Sequence, residues 1–192
     1  MRLLEEAIRV IESGGESALS VRAVAGACGV TTPMIYKAYG SREGLIVAAQ
    51  AERFRRAIEG IAAPFSTLVE SATTIDELRT VIVALSAATQ HPDRVAFRRV
   101  QYEVLGATIG RPDLRVSVDI ALRSLIDRSS RALAVARDRG LVRADVALPE
   151  LLWWYFGQVQ GRLLVEQTDA AIDGDAWNAT SLRAVLAVLF GD

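Results

Sequence analysis

The sequence predicts an all-α protein of about nine helices, and three observations carry that prediction. Period-2 alternation of apolar and polar residues, the mark of strands, is rare. Ala, Leu, Arg and Glu dominate. Apolar residues recur at i, i+3, i+4, i+7 between Gly, Pro and hydroxyl residues that start and stop helices. The 192 residues are 51 % hydrophobic with a mean hydropathy of +0.25, enough for a substantial core.

The first helix is expected from about Arg2 to Ser13, with Leu4, Ala7, Ile8 and Ile11 as its apolar stripe and Gly14-Gly15 as its stop. Ser20 caps a second, with Val21, Val24, Ala25 and Cys28 facing the core, and Gly29 suits a left-handed turn after it. Thr31 or Thr32 caps a third, Pro33 fits its first turn, Ile35 and Met34 face inward, and Gly40 ends it. Ser41 caps a fourth, with Glu43 near its positive end, running to about Ile61 where Pro64 interrupts. Thr74 and Glu77 form a capping-box pattern for a fifth, ending near Gln90. Pro92, Pro112 and Pro149 open the sixth to eighth, ending near Gly106, Gly140 and Gln167, and the ninth spans about Asp175 to Phe190.

Several function classes recede on composition. No apolar run approaches the roughly 18 residues of a membrane span. No basic start with an apolar block and cleavage site is seen, and Cys28, the single cysteine, cannot form an internal disulfide; both fit a cytoplasmic protein. The only histidine, His91, precedes Pro92, and no His/Cys cluster has metal-ligand spacing. No nucleophile elbow or phosphate loop appears, and pairs such as Glu5-Glu6 read as solvated charge. No enzyme, cofactor or metal is expected. Net charge is −1, yet Ser20 to Arg42 holds Arg22, Lys37 and Arg42 with no acidic residue, a basic patch of modest size.

The stretch LSVRAVAGACGVTTPMIYKAYGSREGL, from Leu19 to Leu45, reads as two short helices joined by a tight turn and the capped start of another. It resembles the tetracycline-repressor (TetR) family of bacterial transcription regulators over about residues 2 to 50. The most specific part is Tyr36, Tyr39, Gly40, Ser41, Arg42 and Leu45, which match that family's Tyr-x-x-aromatic-Gly-Ser-basic-x-x-Leu signature. The resemblance implies a three-helix helix-turn-helix DNA-binding domain (residues 1–45), a larger helical ligand-binding and dimerisation domain (46–192), and repression relieved by a small molecule. It also implies a palindromic double-stranded operator and a homodimer. One departure is the start of the chain: Met1 sits almost at the first helix, with no basic arm before it. The rival reading keeps the fold but makes it a protein-binding or ligand-sequestering module without operator binding.

In a helix-turn-helix the second helix enters the major groove with its first residues at the base edges. Those are Thr31, Thr32 and Pro33, then Tyr36 and Lys37 one turn on. Threonine can bond a base or phosphate and pack its methyl on thymine, and Pro33 offers an apolar edge. The Tyr36 and Tyr39 hydroxyls suit phosphate oxygens, and Lys37 suits phosphate or guanine. Ser20 and Arg22 begin the helix that crosses the backbone. Arg42 and the amides after Ser41 form an anion site at a helix N-terminus.

Farther on, Trp153 to Phe156 point in successive directions about 100° apart, so that helix is apolar nearly all round. One side faces the core and another a second subunit. Trp153, Gly157, Gly161, Trp177, Leu182, Val185, Leu186 and Leu189 are the expected dimer residues. A pocket for a small hydrophobic or aromatic effector is expected among Phe97, Tyr102, Leu105, Leu122, Leu125, Trp154, Phe156 and Gln158, with Val100 and His91 as further candidates.

Overall fold

A computed structural model describes residues 2–168 and 172–191, with backbone alone at 61–63. The start expected at Met1 lies outside the described residues. All regular structure among those described is helical, in nine α-helices and three short 3-10 turns. The chain forms two compact units. One comprises the chain up to Arg56 together with Val104–Asp119; the other comprises Ala57–Glu103 together with the chain from Ile120 onward.

In the first unit, α1 (Arg2–Gly14), α2 (Val21–Cys28), α3 (Thr32–Tyr39) and the first turns of α4 (Arg42–Ser71) enclose a small core. Ala7, Ile8 and Ile11 come from α1, Val21, Val24 and Ala25 from α2, Ile35 from α3, and Leu45, Ile46 and Ala49 from α4. The local signals act as expected. The Ser20 hydroxyl accepts from the Ala23 amide at 3.3 Å, and Gly29 turns the chain at φ 68°. Thr31 is the N-cap of α3 by its extended backbone, without a side-chain bond, and Gly40 ends α3 at φ 74°. Ser41 accepts from the Gly44 amide at 2.9 Å. Two inward placements differ. Met34 is 55 % exposed, because neighbouring residues of a helix point about 100° apart and Ile35 takes the inward position. Cys28, the last residue of α2, is only half-buried at the margin of the core.

The remaining piece of this unit is the corner between α6 (Val95–Ala107) and α7 (Pro112–Asp138), where Val104, Leu114 and Val118 are buried. Arg111 at that corner donates to both carboxylate oxygens of Glu16 at 2.7 and 2.5 Å, and its Nε lies 2.7 Å from Glu43. This bidentate fork ties Val104–Asp119 to the N-terminal helices.

The second unit is built on α5 (Ile75–Gln90), α8 (Leu148–Glu166) and α9 (Gly174–Phe190), which pack on one another, with the second halves of α4 and α7. The Thr74–Glu77 capping box is complete. α4 does not stop near Ile61: it continues through Pro64 to Ser71. An interior proline costs roughly 3 kcal/mol. Phe65, Val69 and Ala72 beyond it are core residues, and their burial offsets that cost.

Gly44 sits where the first turn of α4 meets the end of α3, and a Cβ there would run into the Tyr39 carbonyl. We expect Gly44→Ala to lower stability by about 1–3 kcal/mol in urea unfolding. Gly26→Ala, on the open face of α2 with nothing near its Cβ, should be neutral or slightly stabilising. Equal effects at the two glycines would contradict this packing.

Candidate nucleic-acid interface and internal cavity

α3 has eight residues, too few to be stable alone, and buries one side chain completely, Ile35. That anchor fixes which side of the helix faces out. Thr31, Pro33, Tyr36 and Lys37 are exposed, Tyr36 at 45 %, and Thr32 is half-buried. Arg22 and Ser20 at the start of α2 are exposed as well. Among the described residues, Arg22 and Lys37 have no ion pair, and neither Tyr36 nor Tyr39 bonds its hydroxyl to the protein. Hydroxyl, ring and cationic groups are thus available together.

Two expected members differ. Tyr39 is half-buried and packs against the domain core, so much of its ring is structural. Arg42 does not hold an open anion site. Its Nε donates to the Leu19 carbonyl at 2.8 Å and its Nη2 to the Glu16 carbonyl at 2.6 Å. The Glu16 carbonyl also accepts the Leu19 amide in the short 3-10 turn Glu16–Ala18, so Arg42 clasps the approach to α2 through that turn.

Glu16 gathers several of these threads. Its carboxyl is held below its ordinary value of 4.5, first by the hydrogen bonds from Arg111, with a further bond from Gln50. Nearby on α4, Glu52 is pulled down to about 2 by hydrogen bonds from Arg55 and then Arg56.

The second unit holds a cavity of about 110 Å³. α8 supplies Leu151, Leu152, Tyr155, Phe156 and Val159, one continuous stripe; α7 supplies Leu125, Ile126, Ser129 and Leu133; α9 supplies Val185 and Leu189. From α5 come Ile82, Leu85, Ser86 and Thr89, from α4 Ile58 and Phe65, and from α6 Gln101. Of the expected pocket residues, Leu125 and Phe156 line it. Phe97, Tyr102 and Trp154 do not: they are 42, 49 and 41 % exposed. Leu122 is buried outside the lining, Gln158 and Val100 are half-buried outside it, and Leu105 falls in the other unit. On α6 the inward position belongs to Gln101, whose amide donates to the Ala57 carbonyl at 3.2 Å and accepts from Gln160, which turns Tyr102 outward. His91 is exposed, its Nδ1 accepting from the Asp93 amide at 3.3 Å.

The expected dimer residues also divide. Val185 and Leu189 are buried in their own chain and line the cavity, so they offer no surface to a partner. Leu182 and Leu186 pack against the same core. Gly161 allows close approach of Trp177 within the chain, since a Cβ there would stand 3.2 Å from that ring. Trp153 and Gly157 remain on the surface, joined by exposed Leu164 and Val188. Spacing could not decide this, because α8 is apolar on every side.

Sequence reasoning missed the polar lining. Ser86, Thr89, Ser129 and Tyr155 all reach the cavity. A signal existed: Ile82, Ser86 and Thr89 recur at i, i+4, i+7, placing small hydroxyls on the apolar stripe of α5. Glu16 and Arg111 carry no local signal, being far apart in the chain. Among the described residues no group of three or more His, Cys, Asp or Glu could hold a metal ion, and no helix is long and apolar enough to cross a membrane.

Residues 3–49 match the family model for bacterial regulatory proteins of the tetR family. No curated protein matches the sequence. Solved structures share the fold over nearly the whole chain. A TetR transcription regulator from Haloarcula marismortui is 12 % identical, covering 98 % of this chain and 96 % of its own, with a TM-score of 0.67. The transcriptional regulator FadR from Bacillus subtilis, in complex with stearoyl-CoA, is 16 % identical over 98 % of each chain, TM-score 0.61. A protein from Saccharomonospora viridis described as a transcriptional regulator, in complex with choline, is 17 % identical over 96 % of this chain and 93 % of its own, TM-score 0.63. The fold is that of TetR-family transcriptional regulators, with an N-terminal helix-turn-helix.

The Arg111–Glu16 link has a defined pH signature. A carboxyl with a lowered folded pKa adds stability that is complete above its ordinary value and is lost as pH falls through the folded one. The urea midpoint of the native chain should therefore exceed that of Glu16→Gln at pH 7, and the gap should shrink below about pH 4.5. A gap unchanged down to pH 3 would contradict the link.

Proposed function

We propose that the chain is a ligand-responsive transcriptional regulator, a repressor that binds a palindromic operator as a homodimer and is released by a small hydrophobic effector. The observation that carries this reading is the outward set at α3: Thr31, Pro33, Tyr36 and Lys37 are exposed with Thr32 half-buried among them, while Ile35 holds the helix down. The DNA-reading elements lie within residues 1–45, and residues 46–192 serve effector binding and dimerisation. In the major groove, Thr31, Thr32 and Pro33 meet base edges, Tyr36 and Lys37 meet phosphate or guanine, and Ser20 and Arg22 touch the flanking backbone. Tyr39 and Arg42 set the position of α3.

A second copy covers the exposed apolar side of α8 and α9. Trp153, Gly157 and Leu164 share one face of α8, since they recur at i, i+4, i+11. Twofold symmetry would set two reading helices about 34–36 Å apart, one turn of the duplex. The cavity is the effector site. α4 contributes Ile58 and Phe65 to it and begins in the DNA-reading unit, so a ligand that favours one placement of this helix biases the reading heads. A near-complete switch needs about 5.5 kcal/mol of differential affinity. The regulators solved with stearoyl-CoA and choline support a small-molecule effector for this fold.

Operator DNA enriched from random duplexes provides the test. In gel shifts at fixed salt, Tyr36→Ala and Lys37→Ala should each weaken binding at least tenfold with helicity and melting unchanged, and Lys37→Ala should also flatten the salt dependence by about one phosphate contact. Unchanged affinity in both variants would contradict the reading. In sedimentation at micromolar concentration the native chain should be dimeric and Trp153→Glu monomeric; a native monomer would remove the dimer from the account.

A further inference from the structure

We infer that the cavity accepts an uncharged, mostly hydrocarbon molecule about the size of one ring, carrying one oxygen that accepts a hydrogen bond from Ser129 with Ser86 as second donor. This rests on the effector reading of the cavity and specifies its chemistry. Size comes first. The cavity is about 110 Å³. A protein cavity of about 150 Å³ holds benzene, so a ligand of roughly six to seven heavy atoms is the scale.

Charge comes next. No lining residue is ionisable near neutrality as a counter-ion: the polar ones are Ser86, Thr89, Gln101, Ser129 and Tyr155. The two buried arginines of this unit are occupied. Arg98 donates to Glu166, to the Thr89 carbonyl at 3.1 Å and to the His91 carbonyl at 3.3 Å. Arg162 donates to Glu166, the Gly174 carbonyl and Asn178. An ionised ligand would lose its hydration with no partner to replace it.

The polar contact follows from counting hydrogens. Ser129 is 4 % exposed, lines the cavity, and bonds to nothing among the described residues, not even the carbonyl one turn back on α7. Its hydroxyl opens on the cavity with no protein partner among the described residues, so a molecule held there can supply one. On α5 and α8, Tyr155 donates to Ser86 at 3.3 Å and its oxygen lies 2.7 Å from Thr89, while Thr89 also reaches the Ser86 carbonyl at 3.0 Å. With the Tyr155 hydrogen directed to Ser86, the Ser86 hydroxyl hydrogen is the one left without an acceptor. Both serines therefore have a hydrogen to give, which selects an acceptor oxygen such as a ketone or ether. Gln101 is already engaged at both ends of its amide.

Calorimetry on the full chain with four ring probes tests this: cyclohexanone, its isostere methylenecyclohexane, cyclohexylammonium and cyclohexanecarboxylate. Ser129→Ala should weaken cyclohexanone about fivefold to tenfold, the worth of one hydrogen bond, and leave methylenecyclohexane unchanged. Ser86→Ala should act in the same direction on the ketone. Retained hydrocarbon binding shows that each variant is folded. The charged probes should bind at least a hundredfold more weakly than the ketone. Charged probes that bind as well as the ketone, equal losses for ketone and hydrocarbon in Ser129→Ala, or no binding of either neutral probe would each overturn the inference. The effector reading fails separately: it falls if cyclohexanone binds as described yet operator affinity, measured with and without it, does not change.

Discussion

A single buried side chain orients the surface on which the functional reading turns. α3 is two turns long and contributes Ile35 alone to the sealed core, so the helix has one rotational setting that buries it. Rotate it by one residue and Met34 or Tyr36 would have to enter a space fitted to Ile35, with off-rotamer strain as the cost. Everything else at this end serves that setting. Gly40 lets the chain leave, Gly44 lets α4 start against the Tyr39 carbonyl, and Arg42 closes over the two carbonyls behind α2. The exposed face of α3 is the far side of a packing decision.

The second unit follows a different logic. Several of its buried polar groups are matched in pairs or networks: Arg98 with Glu166 and two carbonyls, Arg162 with Glu166 and Asn178, Gln101 with Gln160 and Ala57, whereas the Gln90 amide, the Ser130 hydroxyl and the Trp177 indole N–H have no partner among the described residues. Such matching locks helices in place, because breaking one member strands the other. Ser129 differs from these unpartnered groups in lining the apolar cavity. Helices α4, α6 and α7 each have residues in both units.

Much of the fold was legible because its boundaries are written in residues with local mechanisms. Ser20, Gly29, Gly40, Pro112 and the Thr74–Glu77 box each act through neighbours within four positions. What failed to read were decisions made at a distance. Pro64 is a break by local rules, and the burial of Phe65 and Val69 overrides them. Tyr102 is the natural inward candidate on α6, yet Gln101 wins through a carbonyl on α4 and an amide on α8. α8 carries apolar groups on every side, so its sequence holds no preference between cavity and surface; Tyr155 and Phe156 went one way and Trp153 and Trp154 the other. Arg111 and Glu16 meet only after folding.

The claim underneath all of this is that the outward face of α3 enters a major groove, and methylation interference on the selected duplex reads that groove directly. Guanine N7 lies in the major groove and adenine N3 in the minor. The account predicts that N7 methylation blocks binding in two half-sites spaced by about one helical turn, with N3 methylation between them tolerated. Interference confined to N3, or none in either groove, would contradict it.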